Sequence, residues 1–128
     1  MRYRVESAIK DARSCHCSRC RKAFGGAASA YAEVDHDLFA WTAGEELLSA
    51  YEWEEGSGKL FCSRCGSFLA AQLKHRIHGI AIATLNEDEG IDPPVHYYTG
   101  SKASWDVIPE GVEQYHEMPT TAGDDRSA

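Results

Sequence analysis

Apolar positions in this chain come in short runs broken by turn residues, and nowhere settle into a sustained helical period. Arg2 to Val5 alternates polar and apolar, the pattern of an edge strand. Ser18 to Ala23 can wind into one helical turn before Gly25-Gly26, and Ala28 to Val34 has strand composition. Asp35-His36-Asp37 reads as a turn, Leu38 to Trp41 as a strand, and Glu45 to Ser49 as a single helical turn. Tyr51-Glu52-Trp53 alternates again, and Gly56-Ser57-Gly58 is a tight turn leading into Lys59-Leu60-Phe61. Phe68 to Leu73 and Ile80 to Leu85 are the clearest buried strands, flanking a polar turn from Lys74 to His78. An acidic loop ends in Pro93-Pro94, Val95 to Tyr98 is a further strand, and Ser101 to Trp105 is a short turn. Many short strands with turns between them predict a mostly-β single domain. It spans residues 1–118, and a small, polar tail at 119–128 is expected to be disordered.

With 128 residues, 43% of them hydrophobic, the chain can bury a core of its own. A net charge of −7 argues against a nucleic-acid groove, because phosphate binding needs clustered Lys and Arg. No apolar run is long enough to cross a membrane and no signal-peptide core is visible, so a cytoplasmic protein is expected. In a reducing compartment, closely spaced cysteines read as metal or redox sites, and an odd count of five suits full disulfide pairing poorly.

Three of those five cysteines lie within six residues, Cys15-His16-Cys17-Ser18-Arg19-Cys20. Cys15 and Cys17 share one face of an extended segment, and the two-residue gap to Cys20 is a metal-knuckle spacing. Three thiolates fill three corners of a zinc tetrahedron and leave the fourth for water or substrate. A second knuckle, Cys62-Ser63-Arg64-Cys65, follows after 41 residues. Three readings stay open on spacing alone. One closed site could use Cys17, Cys20, Cys62 and Cys65, with Cys15 a spectator. An open site on the trio could coexist with a separate one on the second pair. Redox chemistry is the third, although no thioredoxin-like βαβ pattern surrounds either CxxC.

The remaining polar candidates carry less. His16 should point away from Cys15 and Cys17, as a surface residue or a donor behind the ligands. His75, His78, His96 and His116 read as structural or exposed, and Trp41, Trp53 and Trp105 as core or rim packing. Arg19, Arg21 and Lys22 form a basic patch beside the trio that could hold a small anion.

Cys15 to Lys22 followed by Gly25-Gly26 resembles the first signature of the glutathione-dependent formaldehyde-activating family, which also contains centromere protein V. Phe61 to Ser67 with Leu69, the Ile80-Ala81-Ile82-Ala83 run, and Ser101-Lys102-Ala103-Ser104-Trp105 match in order. The resemblance covers Arg2 to about Tyr115. It implies a β-tent type fold of short antiparallel strands carrying two zinc ions. Cys15, Cys17 and Cys20 match the ligands of the catalytic zinc, and Cys62 with Cys65 matches half of a structural site. The other half in the family is a CxC pair just upstream of a Val-Arg-Tyr segment, where this chain starts with Met1-Arg2-Tyr3. Two accounts follow: the natural protein carries the pair before Met1, which the match at Arg2 to Val5 favours, or this member has lost the site.

The activity implied by the resemblance is a carbon–sulfur lyase type, the addition of glutathione to formaldehyde to give S-hydroxymethylglutathione. A zinc ion with three thiolate ligands is a mild Lewis acid, so activation of the incoming sulfur is preferred over polarisation of the aldehyde. Arg19, Arg21 and Lys22 then suit a glutathione carboxylate, and His16 and Glu33 are candidate acid–base helpers. The competing reading is a non-catalytic zinc-stabilised binding module presenting Tyr31, Tyr51 and Trp53. A nucleic-acid role fits the acidic balance poorly.

Overall fold

The computed structural model describes residues 1–119. Nine strands and one α-helix form the framework among them: β1 (Arg2–Val5), β2 (Arg13–Cys15), α1 (Ser18–Phe24), β3 (Tyr31–Glu33), β4 (Phe39–Ala43), β5 (Leu48–Glu54), β6 (Ser57–Cys62), β7 (Phe68–Leu73), β8 (Arg76–Ala81) and β9 (Val95–Tyr97). β5-β6-β7-β8-β3-β2-β9 is the order of a seven-stranded sheet, and β1 pairs with β4 in a separate two-stranded ladder. The mainly-β expectation holds. One pairing departs from the antiparallel rule, since β9 runs parallel to β2, with Cys15 opposite Tyr97.

Leu60, Cys62, Leu69, Ala70, Ile77 and Ile80 form the core. Tyr3 and Val5 of β1 and Phe39 and Trp41 of β4 pack onto it. Tyr3, Phe39 and Trp41 also meet ring to ring, with centroids 4.8 to 6.0 Å apart. The small ladder thus covers a face of the large sheet that would otherwise expose apolar side chains.

Two sequence boundaries move, each for a physical reason. The strand expected at Ile80 to Leu85 runs from Arg76 to Ala81 and ends in a 3-10 turn over Ile82–Thr84. Lys74 and His75 both adopt positive φ, +50° and +65°, and so close a two-residue hairpin that pairs Leu73 directly with Arg76. The polar turn therefore takes two residues where five were expected. β3 is shorter than expected because, opposite Cys15 of β2, the Ser29 hydroxyl accepts from Cys15 N–H where a ladder carbonyl would have done so. Gly79 is required where β8 passes under β3, because any Cβ there would overlap the Tyr31 ring.

Of the tail expected at 119–128, all but Pro119 lies outside the described residues. No described helix is long and apolar enough to cross a membrane.

Candidate metal centre

The cysteine trio is assembled from the end of β2, one turn of loop and the start of α1. Both backbone groups of Cys15 and of His16 are held. Cys15 N–H donates to Ser29 Oγ at 2.8 Å, and Cys15 C=O accepts from Ser29 N–H at 3.0 Å. His16 N–H donates to Tyr97 C=O at 2.9 Å, and His16 C=O accepts from Arg21 Nε at 3.1 Å. Cys17 is the N-cap of α1, its sulfur accepting from Cys20 N–H at 3.4 Å. Gly25 closes the helix in the left-handed region, at φ +70°. Phe24 packs against Phe68 of β7 in a tilted ring pair, centroids 4.6 Å apart, which docks the helix onto the sheet.

This framework brings the three sulfurs within 4.8 Å of one another, in the one such metal-ready group among the described residues. A tetrahedral zinc with Zn–S bonds of about 2.3 Å needs sulfurs about 3.8 Å apart, so the donor set and spacing suit a thiolate-binding ion. Cys15 and Cys20 are buried and Cys17 is half-buried, so the cluster reaches solvent at one edge. Charge is already unevenly shared. The Cys20 thiol donates to Cys15, which brings Cys15 down to about 6, helped by hydrogen bonds at Cys17 and by the Arg13 cation. The same bond, together with burial, pushes Cys20 well up.

Cys62 and Cys65 do not join this group. A single closed site drawing on Cys17, Cys20, Cys62 and Cys65, with Cys15 a spectator, is therefore overturned: Cys15 belongs to the cluster and the second pair does not. That pair flanks a turn closed by Gly66 N–H on Cys62 C=O at 2.7 Å. The Cys62 thiol is lowered by the backbone N–H groups of Cys65 and Arg64, then by the Cys65 thiol and the amino terminus. Met1 packs against the core cluster that contains Cys62, so the amino terminus lies beside this knuckle.

His16 is not a surface residue. Its side chain is only 2% exposed, with Nε2 paired to His96 Nδ1 at 2.8 Å and Nδ1 3.6 Å from Asp106 Oδ2. Nδ1 is a buried polar atom with no hydrogen-bond partner among the described residues. Burial, then the neighbouring His96, lowers the pKa of His16, and burial also lowers that of His96. Sequence reasoning missed this contact because its partners lie 80 and 90 positions away, and no local spacing signals it.

The basic patch splits. Arg19 and Lys22 are exposed on α1, whereas Arg21 is committed to the His16 carbonyl. Arg13, unremarkable in sequence, lies over the Tyr31 ring and bonds Glu33 Oε2 at 2.8 Å. Glu33 also meets His78, which bonds the Tyr31 hydroxyl. Glu33 is thus tied into a four-residue polar network that joins β2, β3 and β8. Tyr31 is 7% exposed and cannot belong to a binding surface, while Tyr51 and Trp53 are exposed, at 60% and 40%.

No curated protein sequence matches the chain. A solved structure described as a Rhodobacter sphaeroides protein from structural genomics is 29% identical, covering 70% of this chain and 79% of its own, with a TM-score of 0.47. The profile of the family described as glutathione-dependent formaldehyde-activating enzyme matches residues 1–101, which include all five cysteines. The chain belongs to that family.

Proposed function

We propose that this protein is a zinc-dependent carbon–sulfur lyase that adds glutathione, or a similar thiol, to formaldehyde or a related aldehyde. Residues 1–118 would form its single zinc-carrying domain, acting in the cytoplasm. The observation that carries this reading is the convergence of Cys15, Cys17 and Cys20 in a buried loop with one solvent-facing edge. Three sulfurs leave one corner of a tetrahedron for a guest. A zinc ion held by these thiols supplies positive charge that keeps an arriving thiol deprotonated.

The demand on the protein is modest. A thiol of ordinary pKa near 8.5 is about 3% thiolate at pH 7, so full ionisation raises the nucleophile roughly thirtyfold. In the forward reaction the guest sulfur forms a bond to the aldehyde carbon. The carbonyl π pair moves to oxygen, which takes up a proton to give the hydroxymethyl thioether. Arg19 and Lys22, exposed on α1, suit the carboxylates of glutathione. Arg21 instead holds the loop through the His16 carbonyl. Cys62 and Cys65 are half of a second, structural zinc site, and two equivalents of zinc in this chain would refute its loss.

Isothermal titration of glutathione into zinc-loaded protein, repeated with Cys17→Ser, tests the reading. Zinc-dependent binding that Cys17→Ser abolishes supports it. An unchanged glutathione–formaldehyde exchange rate by NMR would remove the catalytic step. The second reading, a non-catalytic zinc-stabilised binding module, draws on the exposure of Tyr51 and Trp53 along β5, an edge strand of the large sheet. Absence of thiol binding with zinc retained would favour it.

A further inference from the structure

A cavity of about 940 Å³ opens between β1, the chain that follows it and the loop at 84–91. Sites that hold small ligands fall in roughly the 300–1,000 Å³ range. No residue between Lys10 and Trp41 lines this cavity, so it shares no wall with the cysteine trio. Its two sides are tied together. Thr84 Oγ1 donates to Ala81 C=O at 2.7 Å, so the Tyr3 hydroxyl, also 2.7 Å from Thr84 Oγ1, donates to it. Leu69 of β7, buried in the core, closes the inner end.

Five consecutive residues, Met1 to Val5, line the cavity. Alternate side chains of a strand point to opposite faces, so a cavity touching all five meets the strand along its edge. That edge is open. β1 pairs only with β4, and among the described residues no backbone hydrogen bond joins it to the loop at 84–91. Such an edge offers a row of N–H and C=O groups to an extended peptide.

The charges around the cavity have both signs. Arg2 comes from β1, Glu87 and Glu89 come from the loop, and all three are exposed. Among the described residues none of them forms an ion pair, whereas Arg4 is taken by Glu6 at 3.2 Å. Opposite charges that line one cavity without meeting suit a ligand that carries both. A short peptide holds an ammonium and a carboxylate apart, and an extended tripeptide spans about 10 Å. Val5, Leu69, Leu85 and Ile91 supply apolar contact for its side chains.

We infer that this cavity binds a short apolar peptide with both ends free, added as an extended strand to the outer edge of β1. Arg2 receives its carboxylate, and Glu87 with Glu89 receives its ammonium. The site is separate from the thiol chemistry proposed for the trio, and neither requires the other.

The test follows amide NMR shifts in isotope-labelled protein as the tripeptide Leu-Ala-Leu is added. Two further arms use the same peptide with its amino end acetylated or its carboxyl end amidated. The free peptide is expected to shift Arg2 to Ile9 and Thr84 to Ile91, leave Cys15 to Cys20 unmoved, and slow hydrogen exchange along β1. Either cap should weaken binding about tenfold, the scale of one lost charge-assisted contact. Arg2→Gln should weaken the free peptide by a similar factor yet leave the amidated one unchanged, because the partner of the lost cation is already gone. Glu87→Gln combined with Glu89→Gln should spare the acetylated peptide in the same way. These side chains are exposed, so the variants are expected to keep the fold, which circular dichroism checks. Absence of shifts in these two segments at millimolar peptide overturns the inference. So does equal affinity of free and capped peptides, which would leave only an apolar groove. Free leucine binding as tightly as the tripeptide also overturns it, since a single residue adds no strand. Shifts confined to Cys15 to Cys20 would assign the peptide to the trio and overturn it as well.

Discussion

The two cysteine clusters began as near-equals in sequence, each containing a CxxC, and the fold treats them differently. Around the trio, Ser29, Tyr97 and Arg21 hold the main chain from both sides, and His96 and Asp106 flank the side chain between the first two sulfurs. The second pair runs from Cys62, buried at the end of β6, to Cys65, exposed on the turn that follows, its sulfur–backbone contacts supplied by its own few residues. A CxxC turn forms from local geometry alone. A three-sulfur centre needs neighbours from distant strands to hold the extra thiol in place.

The sharpest way to break this contrast is to remove one sulfur from each cluster. Cys17→Ser is expected to lower zinc affinity at the trio by about a thousandfold, since losing one of three thiolates forfeits a sizeable share of the roughly 10–16 kcal/mol typical of structural zinc. Cys65→Ser should leave that affinity unchanged in a chelator competition assay. Comparable losses in both variants would mean that the clusters share one ion.

His96→Ala tests whether the trio depends on remote support. Partners bonded directly to metal ligands typically matter by 10–100-fold; His96 bonds the residue between two ligands, so a loss near the lower end, about tenfold, is expected. Unchanged affinity would reduce the His16–His96 contact to packing.

Protonation sharpens the contrast further. Cys15, at about 6, is ionised at pH 7, whereas Cys20 is held protonated by its bond to Cys15 and by burial. Metal uptake at pH 7 must therefore displace the Cys20 proton. At pH 5 it must displace the Cys15 proton as well, one more in calorimetry across buffers of different ionisation enthalpy.

The buried histidines give a smaller pH effect on the metal-free protein. Burial lowers both His16 and His96 relative to the unfolded chain, whose histidines titrate near 6.5. Between the folded and unfolded values the unfolded state binds more protons, so their contribution to stability is complete above about pH 6.5 and declines as pH falls below it. The urea midpoint of wild type should drop between pH 7 and pH 5 more than that of a His16→Asn, His96→Asn double variant. Equal drops would mean these histidines are not linked to folding.

Much of the architecture could be read from local pattern. The alternation at Arg2 to Val5 and the apolar run from Phe68 to Leu73 became strands with those bounds. The helical turn after Cys17 became α1, because Cys17 caps it and Gly25 ends it, both local effects. Of the two readings of His16, the surface one fails, because strand parity described its direction but not what lay there. Arg21 was grouped with Arg19 and Lys22 by charge, and only the backward reach of its side chain to the His16 carbonyl separates them.

The residues between Cys15 and Cys20 by themselves determined that three thiols could face one point, because strand parity and a helical turn act over a few bonds. Which other groups surround those thiols was decided by the parallel pairing of β2 with β9 and by the return of Ser29 and Asp106 to the loop. Contacts of that kind depend on how distant strands bury a common core, and no spacing along the chain encodes them.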